Sequence, residues 1–136
     1  MTFMAFIPIN REEGKVVKLL TTSATSFTKY NGVKFTSGYA VEAASGDATV
    51  DYIALETKTS ATGNGADSIL CLKVDPSVRI LATCSTTLVQ ATHAGNRYDI
   101  SAAGTVDLAA TTDKCFLLEK IVTTTTAEGY FQQSIA

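Results

Sequence analysis

Tryptophan is absent from this 136-residue sequence, histidine occurs once and proline twice. Charge is scarce as well, at 18% of residues against about 25% in an ordinary globular chain. Such a charge-poor chain is not disordered, because disorder needs low hydrophobicity with high net charge. It lacks the Glu, Lys and Leu heptads of a coiled coil. A net charge of −2 and an acidic pI argue against a nucleic-acid binder, which carries a basic face. No run approaches the roughly 18 apolar residues of a membrane helix. The start, Met1 to Ile9, is apolar, but it has no basic leading region and Pro8 interrupts it, so it is a poor signal peptide.

Reactive groups are equally few. Cys71, Cys84 and Cys115 are odd in number, widely spaced and form no C-x-x-C pair. Each lies in or beside an apolar run, as in Ile69-Leu70-Cys71-Leu72, so they are expected to be reduced core thiols. A nucleophilic pairing with His93, or a zinc set of three Cys and one His, has no local motif behind it. Phosphate-loop, dinucleotide, zinc-protease and serine-hydrolase motifs are all missing. Asp47 with Asp51, or Asp99 with Asp107, could form an acid/base pair. Beside turns, such aspartates more commonly cap their own backbone. The sequence therefore predicts no enzyme, no cofactor and no metal.

What is present is 46% hydrophobic residues, with 21 Thr and 18 Ala. From Lys15 onward, short apolar runs alternate with Gly, Asn, Asp and Ser, the pattern of an all-β sandwich or barrel. Strands are predicted over 49–57, 68–74, 78–83, 97–100, 115–122 and 129–132, with the β-branched Thr on their surfaces. The continuous runs Ile69 to Leu72 and Phe116 to Leu118 predict strands buried on both faces or lying in a subunit interface. Turns are expected at Gly46-Asp47, Gly63-Asn64-Gly65, Asp75-Pro76 and Gly95-Asn96, and single helical turns at 41–44 and 108–110. Thr-x-Thr repeats at a fixed period, as ice binding would need, do not occur.

Two features ask for a partner. Asn31-Gly32 between Thr28-Lys29-Tyr30 and Val33-Lys34-Phe35 predicts a two-residue hairpin turn. It would set Lys29 opposite Lys34, a repulsive pair that must be solvated or meet an acidic partner. Residues 1–14 show no alternation, yet Phe3, Phe6, Ile7 and Ile9 fall within them. The expected organisation is an extended N-terminal arm over 1–14 and a single β domain over 15–136. The arm either adds a strand to another chain's sheet or folds back as an edge strand of its own domain, and the first is the favoured expectation.

Two segments resemble the head decoration, or capsid cement, proteins of tailed bacteriophages. One runs from Tyr30-Asn31-Gly32-Val33 through Ser37-Gly38-Tyr39-Ala40-Val41-Glu42-Ala43-Ala44 to Val50-Asp51-Tyr52-Ile53-Ala54-Leu55-Glu56. The other is Gly95-Asn96-Arg97-Tyr98-Asp99-Ile100 through Leu108, followed by residues 114–122. Together they span about two thirds of the domain. The resemblance implies a small β-barrel of the β-tulip type, with an arm laid over the major capsid protein. It further implies self-association, as a homotrimer or else a dimer, and no catalytic residues. Such a protein is made in the host cytoplasm and located on the virion's capsid surface. The residues implied for the capsid are Phe3, Phe6, Ile7, Pro8, Ile9 and Arg11, and Lys29 and Lys34 form a possible partner-facing hairpin. No nucleic acid or membrane partner is expected. The alternative is a small β-sandwich binding module of a phage tail or fibre, accessory or carbohydrate-binding.

Overall fold

The structure is a computed structural model, described here for residues 5–10, 14–44, 47, 50–102, 104–112 and 115–131. In chain order the strands are β1 (Phe6–Pro8), β2 (Lys15–Leu20), β3 (Ser26–Phe27), β4 (Gly32–Thr36), β5 (Tyr39–Glu42), β6 (Tyr52–Ala54) and β7 (Lys58–Thr59). β8 (Ser68–Lys73), β9 (Ile80–Cys84), the single helical turn α1 (Gln90–His93), β10 (Arg97–Ala102), β11 (Thr105–Asp107), β12 (Phe116–Ile121) and β13 (Thr126–Phe131) follow. The fold is all-β.

The C-terminal strands close into a ring. β9, β11, β10, β12 and β13 pair in that order, and β13 returns to pair with β9. One contact is parallel, Thr105 opposite Thr83 and Val106 opposite Cys84, and the others are antiparallel. Closure leaves no free edge on the ring. Period-2 alternation points Ile80, Ala82, Ile100, Val106, Phe116, Leu118, Ala127 and Phe131 inward, all essentially buried. Phe116 and Phe131 meet edge to face at 5.1 Å between ring centres. Gly129 is required where β12 and β13 cross closest, since a Cβ there would lie 1.9 Å from the Leu117 carbonyl oxygen.

β2, β8, β6, β4 and β5 make a second, antiparallel sheet. It curls until Thr21, just past β2, bridges Ala40 of β5, where the Thr22 N–H also donates to the Ala40 carbonyl at 3.2 Å. Inside lie Phe27, Val33, Ala40, Ala54, Ile69 and Cys71, with Val17, Leu19 and Tyr52 partly buried against them. The opposite face of this sheet contributes Ile53, Leu55, Leu72 and Val74 to the larger core. The run Ile69 to Leu72 thus divides between two cores. Ile69 and Cys71 enter the small one, whereas Leu72, with half-buried Leu70, meets the large one.

Three expectations are corrected. The first strand is no free arm over its described part: Phe6 is fully buried, its ring 4.8 Å from Phe131, and β1 pairs antiparallel with β9. Burial of that phenyl ring holds the segment in its own sheet. The Asn31-Gly32 hairpin does not form. Gly32 is buried in β4 opposite Ile53, and the Asn31 side-chain amide donates to Glu42 Oε2 at 2.8 Å. Those tertiary bonds outweigh the local turn preference. The hairpin instead joins β4 to β5 through Ser37 (φ 52°) and Gly38 (φ 86°), which supply the two positive φ values of a tight turn. Residues 41–42 lie in that strand, so the helical turn expected over 41–44 is absent.

Candidate functional site

β1 separates its two faces sharply. Phe6 enters the core, while Ile7 and Ile9 are 37% and 51% exposed. The backbone is fixed from several sides. Phe6 N–H donates to the Tyr30 carbonyl at 2.8 Å, and Ile9 N–H donates to the Arg79 carbonyl at 2.8 Å. The Asn10 side-chain amide donates to the Ser77 carbonyl at 2.9 Å, and its oxygen accepts from the Arg79 N–H at 2.6 Å. A short strand with these anchors holds two isoleucines outward at little further entropic cost on binding.

Neighbouring strands extend that outward face. Leu81 stands opposite Ile7 on one side and Glu128 on the other. Tyr130 stands opposite Leu117, and both are half-buried. At the centre is Arg79, whose guanidinium lies 5.9 Å from the Tyr130 ring centre. Arg79 Nε donates to Glu128 Oε1 at 3.4 Å, and a second guanidinium nitrogen pairs with Glu119. Held by two carboxylates, the arginine sits beside Tyr130 and next to Leu81 and the exposed isoleucines. Tyr and Arg over an apolar centre with a charged margin is the composition of a protein-binding face.

The sequence-predicted residues are partly brought together here. Ile7, Pro8 and Ile9 belong to this segment; Phe6 supports it from inside and is not available to a partner. Phe3 and Arg11 lie outside the described residues. Lys29 and Lys34 do not face each other, which corrects the like-charged hairpin. Lys29 sits 4.9 Å from the Tyr30 ring centre, and Lys34 bonds Asp47 Oδ1 at 3.1 Å. Sequence reasoning missed Arg79, Leu81, Leu117 and Tyr130, because only the ring's register sets them beside β1.

The remaining candidates for chemistry are structural. All three cysteines are buried and lie outside any disulfide. Burial pushes the thiols of Cys71 and Cys84 up to about 12, with the Glu56 charge adding to the effect at Cys71, so neither is a thiolate near neutrality. His93 Nδ1 accepts the Val89 N–H at 2.9 Å, closing the helical turn. Asp99 and Asp107 stand directly opposite on β10 and β11, and Asp107 Oδ1 accepts the Ala109 N–H at 2.9 Å, the turn-capping role. Among the described residues no cluster of metal-ligating side chains occurs. An open hollow of about 450 Å³ is lined by Gly95, Asn96, Arg97, Tyr98 and Thr111. No described helix is long and apolar enough to cross a membrane. No protein-family model matches the chain, and no curated protein matches it significantly.

Proposed function

We propose that this chain is a capsid decoration protein of a phage head, a β-barrel of the tulip type that binds through the outer face around β1. One observation carries the reading of a binding protein: Phe6 locks the strand into the barrel while Ile7 and Ile9 stay exposed beside Leu81, Tyr130 and the ion-paired Arg79. The choice of a capsid as partner rests on the resemblance of the segments 30–56 and 95–122 to decoration proteins.

The mechanism is apposition of a preformed face. Covering the exposed parts of two isoleucines recovers on the order of 1–2 kcal/mol per side chain. That is weak for one copy, but self-association into a trimer or dimer multiplies the contacts. Linked copies on a repeating lattice then bind by avidity. Copies seated across subunit boundaries oppose the outward pressure of packaged DNA, and none of these steps requires a catalytic group.

The test is co-sedimentation with purified, tail-less expanded heads of the source phage. Wild type is expected to bind to saturation. I7E/I9E should lose binding at least tenfold while its melting temperature and circular dichroism stay near wild type, because both side chains are exposed. Absence of wild-type binding overturns the capsid reading, and binding to purified tails instead establishes the accessory-module alternative. Full binding by I7E/I9E would move the site away from β1.

A further inference from the structure

A directly opposed lysine pair, absent at Lys29 and Lys34, occurs elsewhere on the smaller sheet. Lys15 of β2 and Lys73 of β8 are direct antiparallel partners. Lys73 is in turn opposite Tyr52, and Tyr52 opposite Val33. Directly opposed residues share a face, so both ammonium groups stand on the concave side of the sheet, beyond the edge of its small core. Phe35, two residues along β4 from Val33, shares that face. It is 47% exposed, and its ring meets Tyr52 edge to face at 5.5 Å.

Four other described cations have companions. Lys34 has Asp47, Lys58 has Asp67 at 2.9 Å, Arg79 has two glutamates, and Lys29 lies over Tyr30. Lys15 and Lys73 are both exposed, and no described carboxylate pairs with either. Asp75 feels the Lys73 charge, but its Oδ1 is occupied by the Ser77 N–H at 2.8 Å and by the Ser77 hydroxyl. Two like charges set opposite each other, with no ion pair among the described residues, weaken a sheet. An exposed phenylalanine beside them adds an apolar foothold without stabilising the free protein.

We propose that this corner is a second binding surface, for an acidic protein segment that places carboxylates on Lys15 and Lys73 and an apolar side chain on Phe35. Charge complementarity selects the occupant, and the proposal does not depend on the capsid reading. A nucleic acid fits less well. Two lysines neutralise few of the closely spaced phosphates of a nucleic acid.

The test is an amide-shift titration of the full chain with acetyl-Glu-Leu-Glu-Leu-Glu-amide, with the lysine-for-glutamate peptide as control. Shifts should cluster at Lys15, Phe35, Tyr52 and Lys73 for the acidic peptide alone, and K15A/K73A should weaken binding at least tenfold. No shifts at those residues, or equal shifts with the lysine peptide, overturns the proposal. So does tighter binding of a ten-residue oligothymidine at the same residues, which would make the surface a nucleic-acid site. A stability measurement adds an independent arm. K73E should raise the melting temperature of the free protein by about 2–4 °C by turning repulsion into attraction. The same variant should abolish acidic-peptide binding, and a lowered melting temperature would show that the lysine pair carries no strain.

Discussion

The two β units of this molecule are built from similar strand lengths and end in different physical conditions. The larger ring closes by paired strands all the way around, and Phe6, Phe116 and Phe131 fill its interior edge to face. The smaller sheet curls shut at the Thr21–Ala40 bridge, around Phe27, Val33, Ile69, Cys71 and two alanines. Each unit buries a threonine hydroxyl with no hydrogen-bond partner among the described residues, Thr21 at that seam and Thr105 on β11 of the ring. The larger unit accordingly carries most of the apolar burial, and the smaller one keeps a repulsive lysine pair and an exposed Phe35. A rigid unit that secures the fold leaves a less tightly closed neighbour free to hold surface chemistry that costs stability.

The largest expected effect breaks or supports the claim that β1 belongs to the ring. Phe6→Ala should destabilise the protein by about 3–5 kcal/mol, the range for truncating a buried phenylalanine. Ile7→Ala, one residue along and facing outward, should cost less than about 1 kcal/mol. Urea unfolding of both variants checks this. Equal, small losses would show that the first strand does not contribute to the core.

The two thiols permit a like-for-like comparison, because Cys84 lies in the larger core and Cys71 in the smaller. Each is an acid whose folded-state pKa, about 12, lies above its ordinary value of 9.0. Below pH 9 both states hold the proton, and the contribution to stability is complete. Between pH 9 and 12 the unfolded chain releases protons that the folded chain retains, so stability falls as pH rises. The slope is about 1.4 kcal/mol per pH unit for each thiol. Unfolding free energies at pH 8.5, 9.5 and 10.5, for wild type and for Cys71→Ala and Cys84→Ala separately, measure it. Each substitution should remove a similar share of the slope. A much smaller share for Cys71 would mean that water already reaches the smaller core.

Much of the β architecture was legible before the structure. The apolar run at Ile69 and the alternation around Tyr98 identified β8 and β10, because burial on one or both faces writes a local pattern. The thiols were legible as core residues for the same reason. The fate of β1 was not: three residues are too few to display a period, and Phe6 becomes a core residue only through Phe131, far along the chain. The binding face was half legible. Ile7 and Ile9 stood out as apolar residues without a pattern, whereas Arg79, Leu81 and Tyr130 join them through ladder registers that no local signal encodes. The Lys15–Lys73 pair was hidden likewise, since its members come from strands far apart in sequence.

The turn joining β4 to β5 supplies the smallest effect and the finest test of the smaller sheet. Asn-Gly satisfies a tight hairpin better than Ser-Gly, because asparagine adopts positive φ more readily than serine. In this chain Asn31 is occupied elsewhere, bonding Glu42, and Ser37 takes the left-handed position with φ 52°. Ser37→Asn should therefore stabilise the protein by about 0.5 kcal/mol, with no change in the steepness of the urea transition. The gain would arise at the β4–β5 hairpin, beside the Phe35 corner and away from the larger ring. Hydrogen exchange should then slow at Lys34 to Val41 and remain unchanged at Phe116 and Leu118. Slowing throughout the molecule would instead show that the two units open together, and the contrast between them would apply to packing alone.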